Sequence, residues 1–270
     1  MVPTLVEKQL LNLAIPVLPA IPAIPTVDTP YLADCGTYHV RLAVTEADRL
    51  AAFRLRFLVF NLELNEGLES AYRDGYDTDA FDVVCDHLVV EHAASGTVVG
   101  TYRLQSGMTA AANLGYYSEQ EFDFAPFESL RSRIIEVGRA CVHRDHRTSD
   151  VLNLLWKGIA QYAKRRGGTL LVGCCSLTSQ NPFEGLAVFE RLRSCLIEPD
   201  HMTAPTAAFA MPPVEGPLPE IEVPRLLRAY LALGARICAA PAIDRAFGTI
   251  DYLTLLDLET LHPRVARRFL

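Results

Sequence analysis

The stretch Ile134-Ile135-Glu136-Val137-Gly138-Arg139-Ala140-Cys141-Val142 limits what this chain can fold into more than any other. Its apolar content and length predict a buried strand, yet it carries a carboxylate and a guanidinium, which are costly to bury without a partner or a task. Strict alternation would send Glu136 and Arg139, three positions apart, to opposite faces. A helical pattern follows directly, with Val151, Leu152, Leu154, Leu155, Ile159, Ala160, Tyr162 and Ala163 on one stripe and a stop at Arg165-Arg166-Gly167-Gly168. Thr169 to Leu177 then reads as a second buried strand, completing a strand–loop–helix–strand unit. Two readings of Glu136 and Arg139 stay open: members of a structural ion-pair network, or a base or positioning carboxylate beside an arginine that holds an anion.

The remaining elements are arranged around this unit. Residues 1–36 hold six prolines among apolar residues and are expected to be an extended leader, packed on the domain or touching a membrane surface. Pro16, Pro19 and Pro22 break Leu10 to Ile24 too often for a spanning helix, and the start lacks the basic residues of a signal peptide. Residues 37–270 are expected to form the folded domain. Tyr38 to Val44 predicts a strand, and Thr45-x-x-Asp48 a helix start continued by Leu50, Phe53, Leu55 and Leu58; Arg54 and Arg56 lie on that helix. The apolar runs 87–91 and 98–104, joined through Ser95-Gly96, predict a β-hairpin. The aromatic, acidic segment Gly115 to Leu130 reads as short helices or an ordered loop. Asn181 to Leu196 and Arg225 to Cys238 predict helices on either side of an irregular excursion over 199–224, which holds seven prolines. Tyr252 to Leu258 predicts a closing strand. This order implies an α/β fold with a mixed, mostly antiparallel central sheet flanked by helices.

Composition removes some function classes. Hydrophobic residues make up 50% and charged residues 21%, which excludes global disorder, and a net charge of −7 argues against nucleic acid as a partner. The charge is unevenly placed. Between Glu63 and Glu91 nine acidic residues face one Arg73, whereas from Arg131 to Arg166 nine Lys or Arg face Glu136, Asp145 and Asp150. These segments read either as ordinary solvated faces or as surfaces suited to a cation and a polyanion respectively. Seven cysteines without a Cys-x-x-Cys pair suggest neither a zinc site nor a disulfide framework, and fit a reducing cytoplasm.

Several segments together resemble a known family: Arg54-Leu55-Arg56-Phe57 with Val59-Phe60, Asp79-x-Phe81-Asp82-x-x-Cys85-Asp86-His87-Leu88, Gly100-Thr101-Tyr102-Arg103-Leu104, Glu136 to Val142, Trp156-Lys157-Gly158, Leu226 to Ala235 and His262-Pro263-Arg264. Over about residues 37–270 the chain resembles the GNAT fold of N-acyltransferases. More narrowly it is similar to the bacterial ornithine N-acyltransferases that make lyso-ornithine lipid, often labelled hemolysin-like and related to acyl-homoserine-lactone and N-acyl amino acid synthases. The resemblance implies attack of the ornithine α-amine on a 3-hydroxyacyl thioester, with no permanently bound cofactor and no metal. It departs from acetyl-CoA-using relatives in one respect: the stretch from His143 to Val151 has no glycine, which removes the usual pyrophosphate cradle. The donor expected instead is an acidic acyl carrier protein, its 4′-phosphopantetheine phosphate near Arg144, Arg147 and Val142.

The same resemblance implies site roles. Glu136 is the expected base, Arg139 the partner of the substrate carboxylate or a stabiliser of the acyl-site geometry, and Arg103 a further candidate, unless it simply pairs with Glu136. Arg56 and Phe60 are expected at the substrate, and Asp79, Asp82 and Asp86 at the ornithine δ-ammonium, with turn capping as the alternative for the aspartates. Backbone N–H groups near Val142 would meet the oxyanion. Cys141 and His87 are read as a buried thiol and a strand histidine. Competing functions are a signal or N-acyl amino acid synthase with another acceptor, and a non-catalytic membrane-active protein. Peripheral contact with the inner face of the membrane is expected through the leader or the basic end at His262, Arg264, Arg267 and Arg268.

Overall fold

The computed structural model describes residues 31–269. The expected leader therefore lies outside the described residues up to position 30; of its last residues, Ala33–Asp34 form a short edge strand, β1. Next come β2 (Tyr38–Leu42), α1 (Glu46–Phe57), β3 (Asp86–His92), β4 (Thr97–Ser106), α2 (Gly107–Ala112), β5 (Ile134–Val142) and α3 (Ser149–Arg166). The second half adds β6 (Leu170–Leu177), α4 (Pro182–Arg191), α5 (Arg225–Leu233), β7 (Arg236–Ile237), β8 (Ala242–Asp244), β9 (Thr249–Asp257) and α6 (Pro263–Phe269).

The nine strands form one sheet in the order β1-β2-β3-β4-β5-β6-β9-β7, with β8 also paired to β9. Every pair is antiparallel except β5–β6, where α3 makes the crossover that a parallel pair requires. Helices α3, α4 and α5 cover one face, packing Val151, Leu155, Ile159, Val188 and Leu227 against Val40, Leu88, Ile135 and Tyr252. On the other face α1 packs Ala51, Ala52 and Leu55 against Val89, Val98 and Cys141.

Local signals set most boundaries. Thr45 caps α1 with the reciprocal Asp48 bond expected of T-x-x-D. Asp48, fully buried, also receives Arg41 through two hydrogen bonds of 2.9 and 3.0 Å. The helix then widens into a π-turn over Leu58–Glu63, a local loosening common beside functional sites. Gly167, at φ 71°, ends α3. The helix expected to reach Cys238 stops at Leu233, because Gly234 at φ 107° reverses the chain into β7.

The feature that positions everything else is the early end of the β5–β6 pairing. The two strands pair at Ile134–Leu170, Ile135–Leu171 and Glu136–Val172, and then separate. Gly173 stands at the fork, where a Cβ would lie 2.2 Å from the carbonyl oxygen of Val137. We expect Gly173→Ala to force the two strands apart at the fork and to destabilise the fold by about 2 kcal/mol, the usual cost of overpacking against backbone. A Tm within 1 °C of wild type would contradict that close approach.

Candidate active site

Beyond the fork, β5 contains one extra residue. Its register with β4 runs Arg103–Gly138 and Leu104–Val137 on one side and Thr101–Cys141 and Gly100–Val142 on the other, so Arg139 and Ala140 both face Tyr102. Arg139 absorbs the bulge in a left-handed conformation, φ 49°. The bulge inverts the alternation expected from the sequence. Ile135, Val137, Ala140 and Val142 face the α3 layer, while Glu136, Arg139 and Cys141 share the other face.

On that face lies a buried lattice of three guanidiniums and three carboxylates. Arg56 donates to Asp77 at 2.7 Å and to both oxygens of Asp82 at 2.7 and 3.0 Å. Arg103 bonds Asp79 at 2.6 Å and Asp82 at 3.1 Å. Arg139 bonds Asp79 at 2.9 Å and sits over the rings of Tyr117 and Phe247, 4.9 and 4.4 Å from their centroids. Asp79 and Asp82 also cap the turn Ala80–Val83. Burial alone would raise the Asp82 pKa, but Arg56 and Arg103 outweigh it and hold that carboxyl far below the usual range. Asp79 and Asp82, expected at the substrate ammonium, are instead committed to arginines, and Arg103 pairs with them and not with Glu136.

Glu136 is a saturated anchor. Its Oε1 accepts from the Ser118 N–H and hydroxyl, both at 2.8 Å, and its Oε2 from Gln105 at 2.6 Å and the Tyr117 N–H at 2.9 Å. A carboxylate offers about four acceptor positions, so none is left for a substrate proton, contrary to the role expected of it. Its bonds fix the Tyr117–Ser118 turn and thereby the ring beneath Arg139.

A cavity of about 620 Å³ opens at the fork and is lined from both faces of the sheet. One end is apolar, with Tyr102, Leu104, Val137, Leu155, Leu226 and Tyr230. The other is ionic, with Arg139, Glu66, Glu121, Asp244 and Asp251. Between them lies Val142. His143 N donates to Val99 O at 2.8 Å, which makes Gly100–Val142 a non-hydrogen-bonded pair and turns the Val142 N–H to the side that β6 has left. Arg147, also on the wall, donates to Val142 O at 3.1 Å and forks onto Glu63 at 2.7 and 2.9 Å. Phe60 reaches the cavity and packs edge-on against Phe247. Five expected residues do not line it: Arg56, Asp79 and Asp82 belong to the lattice behind the wall, Asp86 binds Tyr162 and Arg166, and Arg144 is a solvent-exposed side chain beside Asp145.

Sequence reasoning missed Glu66, Glu121, Asp244 and Asp251. Glu121 and Asp251 are 2% and 3% exposed. Burial, reinforced by neighbouring carboxylates, pushes Glu121 up, and burial does the same to Asp251 against hydrogen bonds from Ser176 and Thr249. Burial also raises Glu66, against a 2.7 Å bond from Thr178. The one available signal was Asp251 within the apolar run Thr249–Asp257. Cys141 is a buried thiol pushed far up by burial, unsuited to nucleophilic work, and His87 is buried with its pKa lowered by burial.

A mixed sheet forked between two parallel strands, with a cavity through the fork, defines an acyltransferase of the GNAT type, and residues 55–157 match the acetyltransferase (GNAT) domain family. The chain is 34% identical to an L-ornithine N(alpha)-acyltransferase of Agrobacterium fabrum over 85% of its length and 84% of that protein. It is 32% identical to the enzyme of the same name from Brucella abortus over 88% and 90% respectively. It belongs to the L-ornithine N(alpha)-acyltransferase family. An N-acyl amino acid synthase from uncultured soil microbes superposes with a TM-score of 0.49 at 11% identity, covering 83% of this chain and 91% of the other.

The lattice makes a stability prediction. Asp82→Asn leaves Arg56 and Arg103 undercompensated in the interior and should cost about 3 kcal/mol in urea unfolding near pH 7. Because the folded-state pKa of Asp82 lies below its unfolded value of about 4, its contribution is present above that value and is lost as pH falls through the folded one. The deficit of the variant should therefore shrink on acidification below about pH 4; a deficit constant with pH would contradict the pairing.

Proposed function

We propose that this enzyme moves a 3-hydroxyacyl chain from acyl carrier protein to the α-amine of ornithine, giving lyso-ornithine lipid. The observation that carries this reading is the single cavity with one apolar and one ionic end meeting at the fork, which fits a fatty acyl chain and a charged amino acid held against each other. The ornithine α-ammonium first loses a proton. The amine nitrogen then attacks the thioester carbonyl carbon, and the carbon–nitrogen bond forms. The oxyanion receives the Val142 N–H. Collapse breaks the carbon–sulfur bond, and the departing phosphopantetheine thiolate takes up a proton.

We assign the proton acceptor to Glu66 and a positioning role to Glu136. Glu66 is a cavity-wall carboxylate whose pKa is raised by burial and whose protein donor is the Thr178 hydroxyl, a state suited to a base near neutral pH. Arg139 keeps its charge at the wall as the partner of the ornithine carboxylate. Glu66→Gln should lower kcat about 100-fold with an unchanged Tm, in the range of general-base effects. Glu136→Gln should lower the Tm, since it exchanges an acceptor for a donor in front of backbone N–H groups. A Glu136→Gln protein that keeps its Tm and loses turnover, beside an active Glu66→Gln, would return the base role to Glu136.

The donor reading rests on the glycine-free loop before α3 and on Arg147 and Thr148 at the cavity wall beside that helix start. A single phosphate fits this helix start, and exposed Arg144 adds to a basic surface for an acidic carrier protein. Products are best read by mass spectrometry after incubation with 3-hydroxyacyl carrier protein, or acyl-CoA, and a pool of amino acids including ornithine. We expect N-acyl-ornithine with the carrier protein alone and a several-fold higher KM for it in Arg144→Glu. A product on another amino acid would move the protein to the N-acyl amino acid or signal synthases. No helix among the described residues is long and apolar enough to cross a membrane; contact of the lipid-like product's maker with the inner face is proposed through Arg264, Arg267 and Arg268 on α6.

A further inference from the structure

Glu121, Asp244 and Asp251 come from three distant points of the chain and place carboxylate oxygens within 4.8 Å of one another at the ionic end of the cavity. Among the described residues no Lys, Arg or His forms an ion pair with any of them, in contrast to the nearby aspartates of the arginine lattice. Two members are held in place by neutral donors. Asp244 accepts from the N–H groups of Ala246 and Phe247 at 2.8 and 2.9 Å, and Asp251 from the hydroxyls of Ser176 and Thr249. Glu121 is different. It is 2% exposed, lines the cavity, and has as its protein donor the Cys174 thiol at 3.9 Å, a weak contact. Its remaining partner is the Asp251 carboxylate, with which it shares a hydrogen bond in the free protein; a buried acid at a cavity wall that no cation or backbone N–H holds is open to a ligand that brings its own donors.

We propose that Glu121, Asp244 and Asp251 form the subsite for the side-chain δ-ammonium of the acceptor amino acid. This rests on the reading of ornithine as acceptor and deepens it. An ammonium has three N–H donors to place, and three carboxylates converge here. A hard divalent cation would ask for six or more oxygens, while both oxygens of Asp251 and one of Asp244 already carry protein donors. Held there, the δ-nitrogen stays protonated and cannot act as a nucleophile, while the α-amine is left free to lose its proton. The subsite thus accounts for acylation at the α-nitrogen of a diamine.

The probe pair is L-ornithine and L-norvaline, which has the same carbon chain without the δ-amine. Wild type should prefer ornithine in kcat/KM, and Glu121→Gln and Asp251→Asn should each lower the ornithine-over-norvaline ratio about tenfold or more, mostly through KM for ornithine, as expected for removing a buried charged hydrogen bond. Glu121→Gln should keep the Tm of the ligand-free protein close to that of wild type, because an amide replaces an acid that burial and its neighbours already hold protonated, so a loss of preference cannot be ascribed to unfolding. Ratios unchanged in both variants would overturn the subsite while leaving ornithine acylation intact. An equal fall for both amino acids would overturn it in favour of a role in the chemical step. Stoichiometric Mg²⁺ or Ca²⁺ in the purified protein, with activity abolished by chelator and restored by metal, would overturn it in favour of a metal site. Wild type that acylates no ornithine at all would instead defeat the reading of the acceptor.

Discussion

One extra residue in β5 determines how this protein can use its charges. Without the bulge at Arg139–Ala140, Glu136 and Arg139 would face opposite layers, and the guanidinium would be driven into the apolar packing beneath α3. With it, the side chain emerges on the α1 face, between Tyr117 and Phe247, where Asp79 is within reach. The left-handed backbone at Arg139 is strained for a residue with a Cβ. It persists because aromatic rings, Asp79 and the paired β4 strand all fix the same geometry.

The lattice of Arg56, Arg103 and Arg139 with Asp77, Asp79 and Asp82 follows from that placement. Three cations buried side by side repel one another, and Arg103 and Arg139 each disfavour charge on the other. Three carboxylates interleaved between them reverse the sign of the interaction, so both arginines are held firmly protonated. Such a cluster is not an efficient source of stability, since apolar residues of equal volume often do as well. Its use is rigidity: it ties α1, the turn at 79–83, β4 and β5 together at one wall of the cavity.

Which parts of this were legible in the sequence has a physical explanation. The strand–helix–strand unit, the hairpin and the capping box depend on local periodicity and on neighbours three or four positions apart, and they are where the pattern put them. The bulge was hidden because nothing local marks it; the extra residue is defined only by register against β4. The fate of Asp79 and Asp82 was hidden in another way. Their position in an acidic segment suggested a cation, and a cation is what they hold, but Arg56 and Arg103 supply it from within the fold. Of the carboxylates that lack a protein cation, only Asp251, inside an apolar strand, stood out; Glu121 and Asp244 stand in separate, unremarkable contexts, and the three meet only in the closed fold.

The two acidic groups, a few side chains apart, therefore divide the work by their electrostatic completeness. Asp79 and Asp82 are compensated within the chain, so their ionisation stabilises the fold and resists change. Glu121 and Asp251 are not, and burial raises their pKa values in the free protein. A cationic ligand would reverse that shift by supplying what Arg56 and Arg103 supply next door. Binding of an ammonium there is consequently coupled to release of the proton that burial and the neighbouring carboxylates make Glu121 hold in the free protein. A site completed by its own arginine would be more stable and would bind no ammonium at all.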